Sequence, residues 1–397
     1  MTAETRFVQT PDGTVWTSTA PSYRFWTRYL SVFDTVRVVA RVQAVAAVPE
    51  GAHQVDGPGV EVWPVPYYLG PRQYLLRRAA VGRAVTASAD PGDAVILRVP
   101  SAIGSLLAQT RDRLHLPYAL EVVGDPYDVF APGVVQHPLR PMLRHWFATK
   151  LRRQCRSASA VAYVTERSLQ ARYPATRVAP TTACSSVDLP AEAFLPQARS
   201  PERCTQTNTV ISVGSLDQLY KGVDTLIEAL AWLIAAGLPV RLVHVGDGRF
   251  RHQLEQLAVR LGMADRVEFT GALPAGEAIR RQLDAADLFV MPSRTEGLPR
   301  ALIEAMARAL PAIGTTAGGI PELLPATDLV PPDDPATLAV AIYNMLTNPH
   351  RMASASIRNL YRAHDFSADT LTPRRNAYYH AVRDATERRM SVRSQVC

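Results

Sequence analysis

The second half of the chain alternates without a break between short β-branched runs and amphipathic runs. Residues 209–213 (TVISV) read as a buried strand stopped by Gly214, and 221–236 as a helix with Val223, Leu226, Leu230 and Leu233 on one face. Residues 241–245 (RLVHV) form the next strand, stopped by Gly246-Asp247-Gly248, and 249–261 the next helix. The pattern continues with a strand at 267–269, a helix at 275–286, a strand at 288–290, a helix at 302–310, and 311–314 leading into another strand. Apolar residues at helical spacing and short β-branched runs are the two periodic signals that separate helix from strand. Strict alternation of the two implies a parallel, doubly wound sheet. Ligands of such a sheet bind outside the carboxyl ends of its strands. Here those ends carry Gly214, Gly246-Asp247-Gly248, Gly271, Ser293 and Thr315-Thr316. Turn chemistry places small residues there too, but their convergence on one rim marks a candidate site.

The first half is less regular. Strands are expected at 36–42, 94–97, 118–123 and 161–164, with a helix at 139–156, so this half is α/β as well. The chain has 397 residues, and single cores stop growing near ~250–300 residues. Two domains are therefore expected, joined through the Pro-rich, weakly periodic stretch 187–208.

Composition excludes more than it selects. Hydrophobic residues at 47% and charged residues at 20% are ordinary for a soluble globular protein. A net charge of +7 suits an anionic membrane face or a phosphate-bearing small molecule, and without a long basic tail nucleic acid is not an expected partner. Cys155, Cys184, Cys204 and Cys397 make no CxxC pair or Cys/His cluster, so neither a disulfide framework nor a metal site is expected. The N-terminus lacks the apolar core of a signal peptide, and no segment approaches a spanning helix. A cytoplasmic protein is expected. Its oligomeric state is not legible.

Two stretches carry chemistry. SRTEGLPRALIEAMARALPAIGTTAGGIPELL (293–324) holds Glu296 and Glu304, eight apart. Pro299 suits a first helical turn, which puts Glu296 on the loop after a strand and Glu304 on the helix that follows. Carboxylates so placed accept hydrogen bonds from vicinal hydroxyls, as sugars and riboses offer, and Gly297 lets a ligand approach the backbone closely. The same spacing also fits an ordinary solvated ion-pair row, since Arg300 and Arg308 flank Glu304 at i−4 and i+4. In VGSLDQLYKGVDTLIEAL (213–230) a strand ends at Gly214 and Lys221 opens a helix. A lysine there opposes the helix dipole. A bound diphosphate would resolve the conflict; an exposed lysine in a permissive loop would also account for it.

In this order and separation, the two stretches resemble family 4 of the retaining glycosyltransferases. Residues 214–222 resemble that family's diphosphate loop, Glu296 to Glu304 its E-x7-E motif, and Gly318-Gly319-Ile320-Pro321-Glu322 the turn that follows. The likeness is strong over 210–332 and weaker before the linker. It implies the GT-B fold, two facing Rossmann-like domains with parallel doubly wound sheets. The implied layout is an acceptor-binding domain at 1–190, a linker at 191–208, a donor domain at 209–365 and a helical tail at 366–397 that packs back toward the first domain. The resemblance implies transfer, with retained configuration, from a nucleoside-diphosphate sugar to a hydroxyl acceptor of a polysaccharide, lipid-linked or natural-product glycan. A uridine donor is expected ahead of a guanosine donor, with no cofactor and no metal.

By the same resemblance Lys221 binds the diphosphate within the loop of Gly214 and Ser215. Glu296, with Gly297 and Leu298, holds the transferred sugar, and Glu304 holds the ribose. Gly271 lies near the base. Many members carry Arg where this chain has Ser215, and Ser cannot clamp a phosphate bidentately. The charge then falls on Lys221, or another arginine reaches in, with Arg294 as candidate. Ser215 also leaves open a non-catalytic sugar-nucleotide-binding homologue, beside an epimerase on the same scaffold. In the first domain the family often has a His or an acidic residue at a strand end, and Asp125 occupies that place. Asp125 thus joins Lys221 and Glu296 as a catalytic candidate, while Gly13 and Arg98 join it in the acceptor cleft. Plain turns account for Asp125 and Gly13 equally well. Residues 138–156 are basic, with Leu143, Trp146, Phe147 and Leu151, and suit either peripheral membrane contact or domain packing.

Overall fold

The computed structural model describes residues 1–18, 21–130, 138–187, 189–200 and 207–394. Cys204, with 201–206 of the expected linker, and Cys397 lie outside the described residues.

Two sheets organise the chain. The first contains β1 (Thr2–Gln9), β2 (Val15–Thr17), β3 (Val36–Ala44), β4 (His53–Gln54), β5 (Val60–Pro66), β6 (Ile96–Val99), β7 (Ala119–Val122), β8 (Val161–Tyr163) and β9 (Thr181–Ala183). The second contains β10 (Asn208–Val213), β11 (Val240–Val245), β12 (Val267–Gly271), β13 (Leu288–Met291), β14 (Ala312–Thr315) and β15 (Leu329–Val330). The helices of the first half are α1 (Tyr23–Trp26), α2 (Gly70–Thr86), α3 (Ala102–Arg113), α4 (Pro126–Val129), α5 (Arg140–Ser157) and α6 (Ser168–Arg172). Those of the second are α7 (Val223–Ala235), α8 (Arg251–Arg260), α9 (Glu277–Ala285), α10 (Arg300–Ala307), α11 (Pro335–Leu346), α12 (Pro349–Ala363) and α13 (Ala368–Ser394).

The second sheet runs β12-β11-β10-β13-β14-β15, all parallel. The order reverses direction at β10, so β10 and β13 flank a switch point where loops diverge and leave a crevice. One core packs Leu226, Leu230 and Ile342 of α7 and α11 against Val210 and Val290; another packs Leu302, Ile303 and Met306 of α10 against Ile211 and Phe289.

The first sheet is parallel apart from its β2 and β4 pairings. β1 pairs with β3 along one edge; along the other its start meets β6 at Thr2↔Leu97 and its end meets β2 at Val8↔Trp16. Sequence reading passed over β1. Its inward Ala3 and Phe7 are buried beside polar Glu4 and Arg6, an alternation that reads less clearly than an apolar run.

The described part of the linker is not slack. Leu195 N–H donates to Ala307 O at 2.9 Å, and the Arg199 guanidinium donates to the carbonyls of Leu283, Ala286 and Arg308. After it, α13 buries Tyr378, Tyr379 and Val382 in the core of the first sheet, and Tyr378 donates to Leu120 O at 2.9 Å.

Candidate active site

β10 ends at Gly214, and a short turn brings the chain back at Lys221. The helix begins two residues later than the sequence suggests, at Val223, because Gly222 adopts a left-handed conformation (φ +67°) and caps it. A Cβ on Gly222 would stand 2.0 Å from Pro292 O, so only glycine lets this turn lie against the loop after β13. That contact delivers Lys221 to Glu296: Nζ donates to Oε1 at 2.6 Å, and both side chains are largely buried, at 16% and 10% exposure. Ser293 Oγ donates to the same oxygen at 2.8 Å. Burial alone would lower the Lys221 pKa, but the Glu296 carboxylate outweighs it and the pKa lies above its ordinary value. Lys221 is therefore a fixed cation.

Glu304 stands on α10 and faces the same cleft. Burial raises its pKa, partly offset by Arg300 and Arg280. The solvated row allowed by the spacing does not form, since Arg308 forks onto Asp284 with two contacts at 2.7 Å. Gly214 is braced from below. The imidazole of His244 sits between Ser212 Oγ (2.7 Å) and Gly214 O (3.0 Å). Burial lowers its pKa to about 4, so the ring is neutral. The carbonyl can only accept, which puts the ring proton on Nε2. His244 is not among the expected site residues, because in the sequence it is one more residue of a buried strand.

The cleft measures about 1000 Å³ and takes walls from both domains. Gly214, Ser215, Lys221, Glu296, Gly297, Leu298 and Glu304 line it, as does Arg98 from the first domain. The halves meet closely here: a Cβ on Gly297 would stand 2.5 Å from Val123 O, and Leu298 packs against cores of both domains. Beyond the cleft, the Glu322 carboxylate accepts N–H bonds from Glu166 (2.5 Å), Arg167 (3.1 Å) and Ser168 (2.7 Å), capping α6 of the first domain.

Four expectations are corrected. Asp125 does not line the cleft. It is buried, it caps α4 by accepting from Tyr127 N–H at 2.8 Å, and its carboxylate is bonded to Arg172 and the Tyr173 hydroxyl. Gly13 is the exposed turn of the β1–β2 hairpin, donating to Thr10 O at 2.9 Å, and forms no part of the cleft floor. Gly271 ends β12 and accepts from Gly246 N–H at 2.9 Å; on that side Ala275 and Ile279 reach the cleft instead. Arg294 is committed elsewhere, to Asp224 at 2.8 Å and Asp333 at 2.5 Å. The arginine that does line this half of the cleft is Arg300, exposed at the first position of α10, with no hydrogen bond or ion pair among the described residues. Spacing hid it, because an arginine four residues before a glutamate reads as its partner.

This assembly, a cation and two carboxylates at the switch point of a parallel sheet with a second α/β domain opposite, can be set beside known proteins. Residues 207–348 match the family model of the glycosyl transferases, group 1. Curated relatives are found as well. Protein CapJ of Staphylococcus aureus is 24% identical over 354 residues, 85% of this chain and 87% of the relative. A GDP-mannose-dependent monoacylated alpha-(1-6)-phosphatidylinositol monomannoside mannosyltransferase of Corynebacterium glutamicum is 38% identical over 159 residues, 38% of this chain and 41% of the relative. Among solved structures, Anabaena HepE in complex with UDP-glucose superposes with a TM-score of 0.60 at 18% identity, covering 98% of this chain and 99% of that one. The fold is GT-B. The likeness to the group 1 glycosyl transferases lies in residues 207–348, and the comparisons do not favour an epimerase or a non-catalytic binder.

Proposed function

We propose that this chain is a retaining glycosyltransferase of the family 4 type, moving a sugar from a nucleoside-diphosphate donor to a hydroxyl acceptor. The observation that carries the reading is the convergence of Lys221, Glu296 and Glu304 on one interdomain cleft. Lys221 has three N–H donors, so it can keep Glu296 and still bind a phosphate oxygen. Arg300 supplies the second positive charge that Ser215 does not, and its planar fork suits a phosphate. Preorganised charge of this kind stabilises the leaving diphosphate as the bond to the anomeric carbon breaks. The second oxygen of Glu296 accepts from hydroxyls of the transferred sugar, and Glu304 accepts from the ribose. The acceptor oxygen bonds to the anomeric carbon on the face the diphosphate leaves, its proton passes to the departing phosphate, and a nucleoside diphosphate is released. Gly214 and the backbone of Gly297 and Leu298 complete the donor contacts.

A uridine donor is proposed ahead of a guanosine one, supported by the UDP-glucose complex of the HepE neighbour, although the Corynebacterium relative is GDP-mannose-dependent. Peripheral membrane contact is proposed through α5, which has no acidic residue and exposes Leu139, Met142 and Trp146 at its N-terminal end.

A donor panel with release of nucleoside diphosphate as readout tests the reading, with the anomeric configuration of the product read by NMR. Lys221→Ala and Glu296→Ala are each expected to lower kcat/KM by about 100-fold or more, roughly 3 kcal/mol of transition-state stabilisation, with unchanged circular dichroism. Near wild-type rates in both variants would remove the site from the chemistry.

A further inference from the structure

The first-domain wall of the cleft has a chemistry of its own. It is built from the carboxyl ends of β1, β3 and β5, with β2 beside them. The registers are Arg6↔Arg41 and Val8↔Gln43 between β1 and β3, Val42↔Pro66 between β3 and β5, and Val8↔Trp16 between β1 and β2. Residues two apart on a strand, and residues directly opposite on its neighbour, share a face of the sheet. Arg6, Val8 and Trp16 therefore stand on one face. Tyr67 follows directly on Pro66, the last residue of β5. Arg6, Trp16 and Tyr67 all line the cleft.

The charges on this wall are unequally committed. Arg41 lies 3.3 Å from Glu4, and Arg98 lies 2.5 Å from Glu121. Glu4 is also spent on the start of α3, accepting from the Ser101 hydroxyl (2.8 Å) and the N–H groups of Ala102 (2.6 Å) and Ile103 (3.0 Å). Arg6 is exposed and forms no hydrogen bond or ion pair among the described residues. The uncompensated charge of the wall is thus positive, and Trp16 and Tyr67 line the same cleft.

We infer that Arg6, with Trp16 and Tyr67, forms an acceptor subsite for a sugar carrying an anionic group, a carboxylate or a phosphate. The guanidinium fork takes two oxygens of either group. The apolar C–H face of a pyranose lies against an aromatic ring, whose face is electron-rich. Arg6 is exposed, so water and salt screen the pair; the preference for an acidic over a neutral sugar is set at about tenfold. The inference rests on the transfer reading only in giving the opposite wall to the donor.

Calorimetry on the full chain, with and without a saturating nucleoside diphosphate, tests it with three probes: methyl glucuronide, glucose 6-phosphate and methyl glucoside. The two acidic probes are expected to bind about tenfold more tightly than the neutral one, less so at high salt. Whichever acidic probe binds better identifies the anionic group. Arg6→Ala should abolish the preference and leave nucleoside diphosphate binding unchanged, and Arg6→Lys should keep part of it. Trp16→Ala should weaken all three probes alike. Equal binding of acidic and neutral probes to the wild type, or a preference that survives Arg6→Ala, overturns the subsite. So does a loss of nucleoside diphosphate affinity in Arg6→Ala, which would assign Arg6 to the donor. A wild type that binds no nucleoside diphosphate defeats the transfer reading instead, and the probes on the unliganded protein still decide Arg6.

Discussion

Asp125 and Lys221 are both charged groups removed from water, and their partners give them different work. The Asp125 carboxylate is satisfied on all sides by Arg172, Tyr173 and the backbone of Tyr127. Asp125→Asn takes the anion from Tyr173 and leaves Arg172 with Asp128 alone, at 3.0 Å, and should cost about 1–3 kcal/mol of stability. The urea midpoint reports that loss, while kcat of the folded fraction should stay near wild type. His244 gives a pH signature. Its ring binds a proton near pH 6.5 when unfolded and only near 4 when folded, so the unfolded state holds more protons between these values. Stability falls as pH drops through that window, by about 2–3 kcal/mol at pH 4.5 for this group, and is insensitive to it above pH 7. Glu304, raised by burial, pulls the opposite way. Urea unfolding of wild type against His244→Gln at pH 7 and 4.5 isolates the imidazole, and the variant should show the smaller loss. At this scale the meeting of Lys221, Glu296 and Glu304 on one cleft was expected from the resemblance of their two stretches to a family pattern, since spacing alone also fits an ion-pair row. Asp125 was not: an acid at a strand end and a helix-capping acid before proline look alike in sequence. Arg6 was not, because its strand went unread.

The elements explain how the loop that carries Lys221 holds its shape. The helix expected from Lys221 starts at Val223, so the lysine stands in a short turn ahead of α7. The conflict with the helix dipole is thereby relieved by geometry before any anion binds. Gly222→Ala would set a side chain at positive φ and press it onto Pro292 O. The expected cost is about 2–4 kcal/mol, read from chemical unfolding, together with weaker nucleoside diphosphate binding as Lys221 is displaced. The parallel strands of the second half were legible because apolar runs bounded by glycine have few other solutions. In the first half β2, β4 and β9 have only two or three residues each, too short for any periodicity to show.

Over the whole molecule, charge is unevenly spread. α2 and α5 together carry no acidic residue, and they expose Leu75 and Leu76 on one and Leu139, Met142 and Trp146 on the other. Basic helices with apolar side chains outward bind anionic interfaces. Sedimentation with vesicles containing phosphatidylserine should capture the chain, and neutral phosphatidylcholine vesicles should not. Trp146→Ala with Leu76→Ala should release most of the bound fraction; equal recovery with both vesicle types would dismiss the proposal. Among the described residues no helix is long and apolar enough to cross a membrane. The two-domain plan was legible from length and alternation. The return of α13 onto the first sheet rests on Tyr378 and Tyr379, whose burial no local pattern announces. Finally, the backbone at Gly297 meets Val123 O with no room for even a methyl group. Shape at that single position fixes how closely the two lobes approach: every atom added there is a shim between them, and the largest one that still permits turnover measures how much separation the chemistry tolerates.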